Sequence, residues 1–286
     1  MNVDSLKYVL TEKDYKELIY ASVSVVVLMV IIYMNAFENN NYTCNNLLVN
    51  TYLYVLISLI LFHIMSSLII NYELHIKFFK LTESLNFFLL LFGLFFIIVG
   101  LTFIFHMNYK NIFISHFMLL VLISFFSLLI SITYARLKKN NLYNKTFYTT
   151  LLLISVLLIL FYFNQDLIKE YLTDEYYYIV FILLFVVFII QVFYITFIEY
   201  TNTTSIIFSS VILVIFGYFL LADTQRILNI TKENCNTALK NCNERTPYEC
   251  NVEDYPSYPQ KSFDIFMSII TIFEKIGNMY LSGNED

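Results

Sequence analysis

The chain has 286 residues and a formal net charge of −5, and it is 59% hydrophobic but only 14% charged, against about 25% charged residues in soluble chains. That balance argues against a soluble domain, and the lack of a basic patch or aromatic platform argues against nucleic-acid binding. Trp is absent while Phe and Tyr number 29 and 24, and Gly and Pro are few, so little punctuates the helices. Heavy use of Asn, Ile, Phe, Tyr and Lys points to AT-rich codons, as in some parasites and large viruses.

A bilayer core of about 30 Å needs roughly 20 apolar residues in a helix. Seven such runs follow one another, at about 18–37, 48–70, 86–106, 113–135, 146–163, 178–198 and 205–222. None carries Asp, Glu, Lys or Arg, and the second holds His63. The runs lack the alternation of a barrel strand, and lipid offers the backbone no partners, so each is predicted helical. An eighth run, 261–281, carries Asp264, Glu274 and Lys275. Such a helix suits the bundle interior or a wet cavity better than lipid. The fold expected is an all-α polytopic membrane bundle of seven to eight transmembrane helices with the last one inside. Its parts are a leader (1–17), a seven-helix region (18–222), a cysteine-containing loop (223–260) and an Asp-bearing final helix with a short tail (261–286). The first run follows a charged leader without a small-residue cleavage site and reads as a retained helix.

Lys and Arg in the short loops set the orientation. Lys7, Lys13, Lys16, Lys77, Lys80, Arg136, Lys138, Lys139 and Lys145 fall on one side, against Lys110 and Lys169 on the other. The N-terminus is therefore expected in the cytosol. Eight crossings then place the 38–47 and 224–260 loops on the far side, with Cys44, Cys235, Cys242 and Cys250. An even number of cysteines confined to one side suggests disulfides in a lumenal or extracellular compartment. One bond from Cys44 to the long loop and one within it is the simplest arrangement. The sequons at Asn41 and Asn229 share that side and are glycosylation candidates, whereas those at Asn144 and Asn202 would be cytosolic.

Four stretches, in the right order, resemble the transmembrane Bax inhibitor motif family. Leu18-Ile19-Tyr20-Ala21-Ser22 opens the first helix, and Thr133-Tyr134-Ala135-Arg136 ends the fourth. Gly217 to Gln225 resembles the helix that ends in Asp-Thr-Gln, and Phe263 to Ile276 resembles the final core helix of the Bax inhibitor branch. The resemblance implies two intramembrane aspartates that form a pH-sensitive latch over a calcium leak path. The first is Asp223. In the last helix, the closest branch has Asp at two positions four apart, which fall here on Asp264 and Ser268. The latch position is the second, so Ser268 replaces it and Asp264 sits one turn earlier, about 6 Å along the helix. The family usually has six helices before the Asp-bearing segment, whereas hydropathy gives seven here. The cysteine-bearing loop is a further departure.

Two carboxylates close together in a low dielectric cannot both stay ionised cheaply, so they titrate as a unit. Their hard oxygens suit Ca²⁺, which makes Asp223 and Asp264 the candidate Ca²⁺ contacts and Ca²⁺ the expected transported ion. Ser268 can accept a bond but cannot titrate. A plainer reading pairs Asp223 with Arg226 and Asp264 with Lys261 as local ion pairs. His63 reads either as a hydrogen-bonded structural histidine or as a proton-sensing or metal-binding one, and His116, near a helix start, as structural.

No protease, hydrolase or phosphate-binding motif is present, so neither an enzyme nor a bound cofactor is expected. Two functions stay open. One is a Bax-inhibitor-like Ca²⁺ leak protein that restrains cell death. The other is a non-conducting structural or interaction protein, for example of a viral envelope, that meets membrane-protein partners through the 224–260 loop. A eukaryotic endomembrane or a viral membrane is the expected location. A secondary transporter is disfavoured, because internal repeats and Gly/Pro-broken helices are missing.

Overall fold

A computed structural model of the chain describes residues 8–38, 41–84, 87–198, 201–243 and 251–284. The order is α1 (Glu12–Ala36), β1 (Phe37–Glu38), β2 (Asn41–Tyr42), α2 (Leu47–Asn71), α3 (Leu74–Ser84), α4 (Phe87–Met107) and α5 (Ile112–Lys139). There follow α6 (Tyr143–Phe163), α7 (Gln165–Ile168), a 3₁₀ turn (Lys169–Tyr171), α8 (Asp174–Phe197), α9 (Asn202–Asn229), α10 (Lys232–Asn243) and α11 (Tyr258–Ser282). The protein is an all-α polytopic membrane bundle. Six helices, α1, α2, α5, α6, α8 and α9, are long and apolar enough to cross a bilayer. Helix α4 adds 21 residues without Asp, Glu, Lys or Arg. Strands β1 and β2 are a minimal antiparallel pair with Phe37 opposite Tyr42.

Local chemistry explains the helix boundaries. Helix α1 starts in a capping box: Thr11 Oγ1 accepts from the Asp14 amide, and Asp14 Oδ2 accepts from the Thr11 amide at 2.9 Å, which satisfies two orphan donors. Tyr8 adds a hydroxyl bond to the same oxygen at 2.9 Å. Asn46, before α2, and Asn141, in the tight α5–α6 turn, have φ of 49° and 56°, a left-handed conformation that asparagine tolerates better than branched residues.

Several boundaries differ from the hydropathy reading. Helix α9 runs past residue 222 to Asn229, and α10 occupies part of the loop expected at 223–260. Helix α3 lies where only a loop was expected. These segments are polar or amphipathic, so a search for apolar runs does not register them.

The chain forms two compact units: Met1–Ala135 with Ile227–Phe263, and Arg136–Arg226 with Asp264–Asp286. In the first, α1 packs along α2 and turns Ile19, Val23, Val26, Val30 and Met34 outward. Outward apolar side chains are what lipid demands. In the second, Val187 of α8 packs with Ile212, Ile215 and Phe219 of α9, and Leu137 packs with Phe273 and Leu281 of α11. Helix α8 exposes Phe181, Phe185, Phe188 and Phe193 along its length. Helix α11 is the opposite case, with Ile265, Phe266, Ser268, Ile269, Ile270, Ile272 and Phe273 all buried. Its charges sit on the remaining face.

Candidate functional site

The charged cluster of the second unit is built where α8 begins, α9 nears its end and α11 has completed its first turns. Asp223 lies on α9 with its side chain only 7% exposed. Arg226, one turn later on the same face, places Nη1 3.6 Å from Asp223 Oδ1. Its Nη2 donates to Asp174 Oδ1 at 2.8 Å. The guanidinium carbon lies 3.9 Å from the centroid of the Tyr177 ring, a cation–π contact. One cation thus bridges a buried carboxylate on α9 and an exposed one at the start of α8, with an aromatic face as its floor.

Asp264, on α11, is exposed and lies within electrostatic range of both Asp223 and Tyr177. Ser268, one turn further along α11, is buried. Around Asp223 the Asp-Thr-Gln run is enclosed: Thr224 and Gln225 are buried, and the Thr224 hydroxyl donates back to the Leu220 carbonyl at 2.7 Å. The structure therefore gathers Asp223, Arg226 and Asp264, with Asp174 and Tyr177 joining them. Lys261 donates to the Glu253 carbonyl at 2.6 Å.

Asp174 and Tyr177 escaped the sequence reading. Asp174 carries only the local signal of an acidic first helical turn, and nothing near it announces an arginine 52 residues away.

The first unit supplies a second polar centre. Cys44 and Cys235 form a disulfide with Cα atoms 5.8 Å apart, which ties the start of α2 to α10. Cys242 is also disulfide-bonded, and its carbonyl accepts from Lys110 Nζ. Cys250 lies outside the described residues. Beside the disulfide, the Tyr258 hydroxyl donates to the Thr43 carbonyl and receives Asn50 Nδ2 at 3.3 Å. Tyr42 bonds Ser115 at 3.0 Å and packs edge-on against Tyr255 and Tyr258. Burial holds the phenols of Tyr42 and Tyr255 above their ordinary range, Tyr255 at about 12 with help from Tyr109. The sequon asparagines Asn41 and Asn229 are both exposed.

These features define the class: an integral membrane protein of apolar helices with a carboxylate–guanidinium cluster set into its spans. A family model described as inhibitor of apoptosis-promoting Bax1 matches residues 44–285. The match takes in most of the chain, including Asp223, Asp264 and Ser268, and the chain belongs to the Bax inhibitor family. Neither a curated protein nor a solved structure matches it.

Proposed function

We propose that this Bax inhibitor family protein passes Ca²⁺ down its gradient from an internal store, in a pH-dependent manner, and thereby restrains cell death, without catalysing a reaction or holding a resident cofactor. The observation that carries this reading is the Asp223 carboxylate, 7% exposed inside an apolar span, with Asp264 within electrostatic range. An ionisable group there is costly and is kept for a use, and carboxylate oxygens suit Ca²⁺. Arg226 acts in this reading as a tethered cation. It occupies the carboxylate in the closed state and must be displaced, or lose its partner to protonation, before an ion passes.

The lysine and arginine distribution supports a cytosolic N-terminus. The Cys44–Cys235 disulfide supports an oxidising compartment on the opposite side, as in an endomembrane. A second reading is favoured by Arg226 itself. Engaged with both Asp223 and Asp174, it makes the cluster a structural clamp in a non-conducting membrane protein, of a cell or a viral envelope, whose partners dock on the disulfide-linked segment.

Ca²⁺ flux in proteoliposomes, wild type against Asp223→Asn from pH 6 to 8, separates the two. The leak reading expects a pH-dependent flux that the variant flattens or abolishes. Absence of flux from wild type at every pH overturns it and leaves the clamp.

A further inference from the structure

The chain has four histidines, and two of them face each other's helices in the first unit. His116 of α5 meets Tyr54 of α2, with Nε2 2.7 Å from the hydroxyl. His63 of α2 meets Tyr134 of α5, with Nδ1 2.9 Å from the hydroxyl. The α2–α5 seam thus holds two tyrosine–histidine pairs with the roles exchanged. What stands behind each pair makes them chemically different.

His116 Nδ1 lies 2.6 Å from the Ile112 carbonyl. A carbonyl only accepts, so Nδ1 carries the hydrogen and Nε2 of the neutral ring accepts from Tyr54. His116 is the hydrogen-bond partner of the Tyr54 hydroxyl among the described residues. A second proton on the ring would turn this bond round, with Nε2 donating to the Tyr54 oxygen, and the phenol hydrogen would lose its acceptor. Phe37, Tyr42 and Tyr54 crowd the imidazole, with ring centroids 6.0, 6.5 and 5.5 Å away. The surroundings fix one neutral tautomer.

The Tyr134 hydroxyl has a second partner, Ser67 Oγ at 3.2 Å, and either oxygen can donate. The row His63–Tyr134–Ser67 can therefore run in both directions. With the ring neutral, Ser67 donates to Tyr134 and Tyr134 to His63. With the ring protonated, His63 donates to Tyr134 and Tyr134 to Ser67. Both hydrogen bonds of the row are kept in either state and no heavy atom has to move. Tyr134 and Ser67 are buried at 0% and 2% exposure and His63 is half-buried, so the row contributes to whether the charge is tolerated.

We propose that His63, with Tyr134 and Ser67, is a proton-binding site in the α2–α5 seam, separate from the aspartate cluster. The titratable groups around it are sparse. Helix α5 presents Tyr134. Helix α1, packed along α2, carries beyond Glu17 only the phenols Tyr20 and Tyr33, both exposed. Helix α3, after the turn at Glu73 that ends α2, carries His75, Lys77, Lys80 and Glu83. Tyr258 stacks on Tyr54 and, with Lys261, belongs to the opposite end of α2. The Tyr134 hydroxyl, 2.9 Å from Nδ1, is the group placed to hold the bound proton.

The test is ring-nitrogen NMR of the full-length chain, labelled with ¹⁵N-histidine, in lipid nanodiscs from pH 8.5 to 5, a window spanning ordinary imidazole titration. His63→Asn and His116→Asn assign the signals. The expected result is that His63 passes from unequal neutral shifts to the equalised imidazolium pattern, while His116 keeps its Nδ1–H neutral form throughout. Tyr134→Phe removes the middle hydroxyl and makes His63 protonation require about tenfold more acid, the worth of one hydrogen bond to a charged ring. Ser67→Ala, a smaller change, moves the midpoint in the same direction and serves if Tyr134→Phe does not fold. Asp223→Asn leaves the His63 midpoint in place. The proposal is overturned if His63 stays neutral down to pH 5, if its midpoint is the same without the hydroxyl row, or if it follows Asp223.

Discussion

Removal of the Arg226 guanidinium tests whether the cluster is energetically coupled. The charges of Arg226 and Asp223 approach to 3.6 Å. At an effective dielectric constant of about 20, that distance gives roughly 5 kcal/mol of raw attraction. The arginine side chain is 44% exposed, and solvent screening reduces the net figure to about 1–2 kcal/mol. The two single changes are unequal. Arg226→Gln strands a carboxylate that water hardly reaches and should cost about 2 kcal/mol or more, toward the lower end of what breaking an enclosed pair costs. Asp223→Asn leaves an arginine that still has Asp174, the Tyr177 face and solvent, and should cost about 1 kcal/mol. The double variant should then cost about 1–2 kcal/mol less than the sum. The assay is equilibrium unfolding in mixed micelles, followed by helix content, for all four proteins of the cycle. Additivity within about 0.3 kcal/mol would refute the coupling, and with it the idea that Arg226 closes the site.

Two further predictions concern the first unit and the leader. The Cys44–Cys235 bond closes a separation of 191 residues. A single protease nick between them should leave two fragments that migrate together without reductant and apart with it, and Cys44→Ser should cost about 2–4 kcal/mol. Separation of the nicked fragments without reductant would contradict the pairing. In alkali, Tyr8 and Tyr255 stay protonated to about pH 12 in the folded chain, burial being the larger cause for both, whereas unfolded phenols ionise near pH 10. Between those values the unfolded state binds fewer protons, so stability contributed by the neutral phenols is intact below pH 10 and lost as pH rises toward 12. Absorbance at 295 nm should show these phenols ionising after the exposed tyrosines, and a single transition near pH 10 for all of them would contradict the burial.

Much of the fold was legible because lipid is an undemanding solvent to predict for. A run such as Phe87 to Met107, apolar but for Thr102 and His106 and without Asp, Glu, Lys or Arg, has one solution in a bilayer. Asp223 and Asp264 were legible for the converse reason, since a carboxylate in such a chain is conspicuous. The amphipathic helices α3 and α10 were not, because polar residues at helical spacing resemble a loop when only hydropathy is scanned. The partners in the polar sites were equally hidden. Asp174 meets Arg226 across 52 residues, and His63 meets Tyr134 across 71. No local spacing encodes either contact.

The sequence by itself determined that this is a membrane bundle of the Bax inhibitor type, because apolar length and the order of a few short motifs are one-dimensional properties. The tertiary structure alone decided which side chains share a proton or a charge. Arg226, the local partner of Asp223, also takes Asp174, Cys44 chooses Cys235, and of His63 and His116 only His63 has a reversible hydroxyl row behind it. Those choices rest on distances of about 3 Å between groups far apart in the chain, and such distances are set by packing, not by composition.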